Sequence, residues 1–181
     1  MIEEILKFNK AFVENKLYGK YITSSKYPAK KIAIISCMDT RLTELLPAAL
    51  GIKNGDAKII MNAGGVISHP FGSVMRSLLI GIYDLNIQEI LVIGHSDCGA
   101  ASTDSQKMIE KMKARGITQD NIKMIEYFGV DFDAWLAGFK DLDVSVKKSV
   151  DLIRNHPLVP DGIEVYGLVI DSVTGELSRI A

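Results

Sequence analysis

Two apolar segments of the chain each lead directly into a short polar motif that contains a cysteine. Residues 31–35 precede the motif at 36–41, and residues 89–93 precede the motif at 94–99. Short runs rich in β-branched residues predict buried parallel strands, so both motifs are expected at the carboxyl ends of strands. That edge is where open α/β sheets bind their ligands. The pattern therefore predicts an α/β fold with a ligand site shared by the two motifs.

The rest of the chain alternates between strand and helix patterns. Further strands are predicted at 57–61, 163–170 and 176–180, in addition to 31–37 and 89–94. Helices are predicted at 2–18, 71–86, 104–115 and 143–155, with short helices within 117–140. A short helix capped by Thr40 is expected to end near Pro47. Such alternation favours a mainly parallel β-sheet of about four strands plus an antiparallel edge strand, flanked by helices.

Length and charge limit the classes of protein to which the chain can belong. Its 181 residues suit a single domain, 1–181, that needs no disulfide to stabilise its core. A net charge of −1 with interspersed signs argues against nucleic acid and anionic membranes as partners. The first residues do not resemble a secretory signal, and no apolar run approaches the ~20 residues that span a bilayer. We therefore expect a cytoplasmic protein.

The only two cysteines lie one in each motif, and a histidine accompanies the second. Cys37 with His95-x-x-Cys98 is a zinc ligand set of two sulfurs and one imidazole. Three protein ligands with an open fourth position are typical of catalytic zinc, which lowers the pKa of its water from ~15.7 to about 7. We expect one Zn²⁺ per chain. The alternatives are two buried structural cysteines, a non-catalytic zinc-binding or redox-sensing protein, and a cysteine nucleophile with His95 as its base.

Asp39 and Arg41 follow the first cysteine closely enough to share its site. Arg41 could hold the Asp39 carboxylate in a bidentate pair, and that carboxylate could then orient the nucleophile. Alternatively, Asp39 could take the fourth metal position, or merely cap the following helix while Arg41 lies at the surface. Asp97 is expected to form hydrogen bonds within its own turn, and alternatively it could line the pocket.

Paired glycines follow the second predicted strand. Gly64 and Gly65 indicate a close backbone approach or positive φ angles. Together with Val66 they are candidates for the lining of a small substrate pocket. The two remaining histidines are interpreted more simply: His69 as a surface residue that could approach the cleft, and His156 as a structural residue of a turn.

These motifs together resemble the β-class carbonic anhydrases, specifically their small, compact members. The resemblance extends from Lys30 to the end of the chain. It depends on four groups of residues: 37–41, 62–65, 95–99, and His156-Pro157 with the strand and turn that follow it. It implies zinc ligands at Cys37, His95 and Cys98, and an aspartate–arginine dyad at Asp39 and Arg41.

The resemblance also implies a function and an assembly. We expect reversible hydration of carbon dioxide to bicarbonate and a proton through zinc-bound hydroxide. A few relatives act on carbon disulfide or carbonyl sulfide instead. Members are homodimers or larger, so residues 1–18 are expected to pack on a partner subunit. Some larger members have an arginine in a second, regulatory bicarbonate site, but Met61 occupies that position here.

Overall fold

A computed structural model describes residues 1–181 and contains one five-stranded sheet. The strands are β1 (Ile32–Cys37), β2 (Ala57–Asn62), β3 (Glu89–His95), β4 (Glu164–Ile170) and β5 (Leu177–Arg179). Their order across the sheet is β2-β1-β3-β4-β5. The first four strands are parallel and β5 pairs antiparallel with β4. The predicted fold class is therefore confirmed.

Seven α-helices flank or extend from the sheet. They are α1 (Ile2–Glu14), α2 (Leu42–Ala49), α3 (Ser73–Leu85), α4 (Ser105–Ala114), α5 (Gln119–Tyr127), α6 (Phe132–Trp135) and α7 (Leu142–Arg154). The first helix is shorter than predicted, because Lys16 adopts a left-handed conformation and a separate 3₁₀ turn covers Leu17–Tyr21. No helix combines the length and the apolar character needed to cross a membrane.

The second helix differs from its prediction at both ends. It continues through Pro47 to Ala49, and Arg41, rather than Thr40, occupies the N-cap position. A proline inside a helix loses one backbone hydrogen bond, here the bond to Thr43. The helical hydrogen bonding nevertheless continues past the proline, where the N–H of Leu50 donates to the carbonyl of Leu46. Leu42 and Leu46 are fully buried, so packing against the sheet outweighs the lost bond.

Two hydrophobic clusters lie around the sheet. The larger one joins the sheet to α3 and α7. In the smaller one, Leu42 and Leu46 of α2 pack with Ile34 of β1 and Ile93 of β3, and this cluster also contains both cysteines. Two of the three candidate metal ligands, Cys37 and Cys98, are therefore part of the hydrophobic core.

The chain order places the two motifs side by side. From β1 the chain continues to β2 on one side of the sheet, and it then returns to add β3 on the other side of β1. Residues Ser36 and Ile93 are paired in register, so both strands end at the same edge. A reversal of strand order of this kind opens a crevice at the carboxyl ends of the two strands. The predicted ligand edge is located at this point.

Candidate metal centre

Cys37, His95 and Cys98 come together where β1 and β3 end. Their possible ligand atoms all lie within 4.8 Å of one another, and the two Sγ atoms are 3.8 Å apart. Two sulfurs at ~2.3 Å from a tetrahedral zinc ion would be separated by about 3.8 Å. Both cysteines are free thiols. The spacing of the two sulfurs therefore fits a zinc ion.

His95 is oriented by a hydrogen bond from the far side of its ring. Its Nδ1 lies 2.8 Å from the Ser96 carbonyl, which can only accept, so Nδ1 carries the proton and donates it. Nε2 is then left with a lone pair, and it is buried without a hydrogen-bond partner. A buried polar atom without a partner is costly, and a metal ion would provide the missing partner. The imidazole is therefore prepared to bind a metal.

The thiol of Cys98 lies in a less polar setting than a surface cysteine. Burial is the main reason that the pKa of Cys98 is raised, and the neighbouring Cys37 raises it further. Main-chain N–H groups of Ala100 and Ala101 oppose this increase in the pKa by donating to the sulfur. A metal ion would replace the thiol proton, so binding would release protons and depend on pH.

Asp39 and Arg41 form a bidentate ion pair beside these ligands. Arg41 donates from Nε to Oδ1 at 3.0 Å and from Nη2 to Oδ2 at 2.8 Å. The hydrogen bonds from Arg41, first from its side chain and then from its main-chain N–H, hold the pKa of Asp39 well below its usual range. Oδ2 of the ionised carboxylate lies 3.9 Å from Nε2 of His95. The structure therefore places an ionised carboxylate next to the candidate metal-binding atoms.

The two simpler interpretations of this pair, a helix cap and a surface arginine, account for only part of its contacts. No side chain caps the first turn of α2. The Asp39 carboxylate accepts the Arg41 main-chain N–H in a local turn, in addition to the side-chain pair. Arg41, although 39% exposed in its side chain, contacts residues of both motifs.

Asp97 contacts Arg41, which the sequence analysis did not predict. Its carboxylate accepts a hydrogen bond from Nη1 at 2.9 Å, and its main-chain carbonyl accepts one from Nη2 at 2.9 Å. The Asp97 carboxylate bonds Arg41 rather than its own turn, so that expectation is wrong, and a place for Asp97 in the lining of the pocket stays a prediction. The contact joins residues 56 positions apart, so spacing within either motif could not reveal it.

The turn at Gly64 and Gly65 packs closely against the ligand loops. Both residues have positive φ angles, +82° and +64°, and a Cβ on Gly65 would lie only 2.9 Å from the main-chain nitrogen of Cys37. Asn62 holds the turn by bonding both main-chain groups of Val66. The predicted close approach is confirmed, and a role of residues 64–66 in lining a substrate pocket stays a prediction.

Comparison with known proteins identifies the family. The family model described as carbonic anhydrase matches residues 32–177. The protein YtiB of Bacillus subtilis, whose own designation as a carbonic anhydrase is provisional, is 54% identical over 99% of this chain and 96% of its own length. The chain belongs to the β-carbonic anhydrase family. A crystal structure of β-carbonic anhydrase isoform I from Trichomonas vaginalis superposes with a TM-score of 0.89 at 35% identity, covering 99% of this chain and 97% of the other.

Relatives of this chain include a protein named for another substrate. A carbon disulfide hydrolase of Acidithiobacillus thiooxidans is 30% identical over 82% of this chain and 76% of its own length. The family resemblance is therefore confirmed, while the name of the family alone does not decide between the two linear substrates.

The two remaining histidines of the chain lie outside the candidate ligand cluster. His156 is buried. Its Nε2 lies 2.9 Å from the carbonyl oxygen of Pro70, and its Nδ1 accepts a hydrogen bond from the Leu158 N–H. Its predicted structural role in a turn is confirmed. His69 is exposed, and its Nδ1 accepts the Phe71 N–H.

Proposed function

We propose that this β-carbonic anhydrase reversibly hydrates carbon dioxide to bicarbonate and a proton, using one zinc ion bound by Cys37, His95 and Cys98. The observation that carries the proposal is the buried, unpaired Nε2 of His95, which lies within 4.8 Å of two free thiols and 3.9 Å from the carboxylate of Asp39. When bound, the ion would supply the nucleophile by lowering the pKa of a water ligand from ~15.7 to about 7.

We assign to Asp39 and Arg41 the role of orienting that water. A carboxylate accepts hydrogen bonds and cannot donate them when ionised, so Asp39 would fix the direction of one O–H bond. Arg41 bonds both carboxylate oxygens, and this pairing keeps Asp39 from becoming a fourth metal ligand. The proton produced in each turnover must then leave to solvent.

One comparison favours carbon dioxide over carbon disulfide as the substrate. The relative at 54% identity is provisionally designated a carbonic anhydrase, whereas the relative named as a carbon disulfide hydrolase is 30% identical. Both substrates are linear and uncharged, so the ligand set by itself suits either. The wall formed by Gly64, Gly65 and Val66 is the proposed site at which the two substrates would be distinguished.

The test is stopped-flow carbon dioxide hydration by the zinc-loaded protein, with carbon disulfide offered separately and sulfide release measured. We expect hydration by the wild type, and loss of both zinc and hydration in Cys98→Ser. Sulfide release without carbon dioxide hydration would assign the second substrate. A Cys98→Ser variant with full zinc and a normal rate would refute the ligand assignment.

We also propose a homodimer or larger assembly that acts in the cytoplasm. No residue of α1 is buried within the chain, and five of its apolar side chains are at least half exposed: Ile2, Ile5, Leu6, Phe8 and Val13. Apolar exposure on this scale favours burial against a second copy of the chain. Two free cysteines suit a reducing compartment.

A further inference from the structure

Arg41 connects the two loops that present the metal-binding residues. It belongs to the loop after Cys37, where it grips Asp39. It also reaches across to the loop that begins at His95 and ends at Cys98, where it binds Asp97 through two different acceptors. Three of its nitrogen atoms are thus engaged with four oxygen atoms. The orientation of the guanidinium is fixed from both sides of the site.

The backbone at Asp97 has an unusual conformation. Its φ angle is +52°, in the left-handed region that most residues other than glycine avoid, although aspartate and asparagine adopt it more readily than others. Such conformations persist where surrounding contacts require them, and they are concentrated at functional sites. Here the left-handed residue lies between two metal-binding residues and directs both its carboxylate and its carbonyl oxygen to the same guanidinium.

We propose that Asp97 is a positioning residue, which holds Arg41 in the orientation that grips Asp39 and thereby keeps Asp39 off the metal. This inference rests on the proposed function and extends it. Asp97 itself does not touch the reacting atoms. The Asp97 carboxylate accepts from Nη1 of Arg41, and the Asp97 carbonyl accepts from Nη2. The edge of the guanidinium formed by Nε and Nη2 therefore faces Asp39. Without Asp97, Arg41 could swing toward solvent and leave the Asp39 carboxylate free.

A purely stabilising role is a poor explanation for this contact. The Asp97 side chain is 87% exposed within the single chain, and ion pairs exposed to that degree contribute little to folding. The contact instead fixes the orientation of the Arg41 guanidinium, which must lie in the plane of a carboxylate to form two hydrogen bonds with it. The expected consequence is therefore seen at Arg41 and in catalysis rather than in overall stability.

The experiment compares Asp97→Gly and Asp97→Asn with the wild type. Glycine tolerates the positive φ angle and keeps the main-chain carbonyl, so Asp97→Gly removes only the carboxylate. Asparagine also tolerates the conformation and keeps an acceptor without its charge. Asp151→Asn, at an exposed position on α7, is the control for the lost negative charge. Each variant is examined with zinc bound, at equal zinc content.

Two readouts are needed, of which the first does not involve catalysis. In NMR spectra, the Arg41 Nε–H that donates to Asp39 is expected to exchange with water roughly 10-fold faster in Asp97→Gly. The kcat for carbon dioxide hydration is expected to fall about 10-fold in Asp97→Gly and less in Asp97→Asn, since a neutral acceptor gives a weaker hydrogen bond than a carboxylate. Asp151→Asn should leave both the exchange rate and kcat unchanged.

The outcomes separate this inference from the proposed function. Unchanged Arg41 exchange in Asp97→Gly would overturn the positioning role, and so would faster exchange with an unchanged kcat. If the wild type does not hydrate carbon dioxide, the proposed function fails and the catalytic role of Asp97 fails with it. The exchange measurement would still show whether Asp97 orients Arg41. Should Asp97→Gly not fold, Asp97→Asn provides the same comparison with a smaller expected change.

Discussion

The substitution Gly65→Ala tests whether the turn after β2 packs against the end of β1, the strand that carries Cys37. Gly65 has a φ angle of +64°, and an added Cβ would lie 2.9 Å from the nitrogen of Cys37 and 3.0 Å from the carbonyl carbon of Ser36. Both contacts are with backbone atoms at the end of β1, which pairs with a strand on each side. They cannot move aside as a flexible side chain could.

The size of the effect follows from two contributions. The left-handed conformation costs an ordinary residue about 1–2 kcal/mol, and forcing extra volume into a packed site adds about 1–3 kcal/mol. The sum is about 2–5 kcal/mol, which corresponds to a fall in Tm of roughly 4–20 °C for a chain of this size. Gly51→Ala is the matched control, because Gly51 has a φ of +62° with nothing within 4 Å of an added Cβ. It should cost only the first contribution.

Thermal unfolding of the metal-free variants, followed by circular dichroism, measures this difference. Zinc affinity, measured by competition with a chelator, should also fall in Gly65→Ala, because the added methyl displaces the backbone that positions the Cys37 sulfur. Gly51→Ala should bind zinc like the wild type. Equal Tm values and equal zinc affinities for the two variants would refute the view that the turn supports the end of β1 and the position of Cys37.

Three further predictions concern other parts of the molecule. Arg41→Ala should keep its zinc but lose most carbon dioxide hydration, with Asp39 bound to the metal in a crystal structure. Arg41→Lys should recover only part of the rate, and normal rates with full zinc in these variants would contradict the assignment. Deletion of residues 1–18 should shift the protein toward monomers in light scattering, and an unchanged oligomer would count against the proposed interface. Hydrogen bonds in the turn after Asp171, first that from the main-chain N–H of Thr174, lower the pKa of the Asp171 carboxylate. These bonds therefore stabilise the fold fully above the ordinary aspartate pKa of ~3.9, and this stabilisation is lost as the pH falls through the lower pKa of the folded state. The Tm difference between the wild type and Asp171→Asn should therefore be constant above about pH 5 and shrink below about pH 4; a difference that grows in acid would contradict the assignment.

Sequence patterns were sufficient for the features that depend on local chemistry. The runs of β-branched residues predicted the inner strands, and the carboxyl-edge rule then brought Cys37, His95 and Cys98 together. The positive φ angles of Gly64 and Gly65 were likewise predictable, since glycine is the residue that adopts them without a steric cost.

Features that depend on tertiary contacts were not predictable in this way. Pro47 signals the end of a helix, yet the buried leucines of α2 keep the helix intact beyond it. The contact of Arg41 with Asp97 joins two loops through an extended side chain, and it depends on a left-handed residue that no local pattern requires. Such contacts emerge only when the geometry of both loops is known.

The most direct test of the account is a zinc titration of the metal-free protein, followed by the rate of carbon dioxide hydration. If Cys37, His95 and Cys98 bind the catalytic ion, the rate should rise linearly with added zinc and level off at one ion per chain. A rate that is already maximal without zinc, or that stays at the uncatalysed value after one zinc ion per chain has bound, would contradict the account.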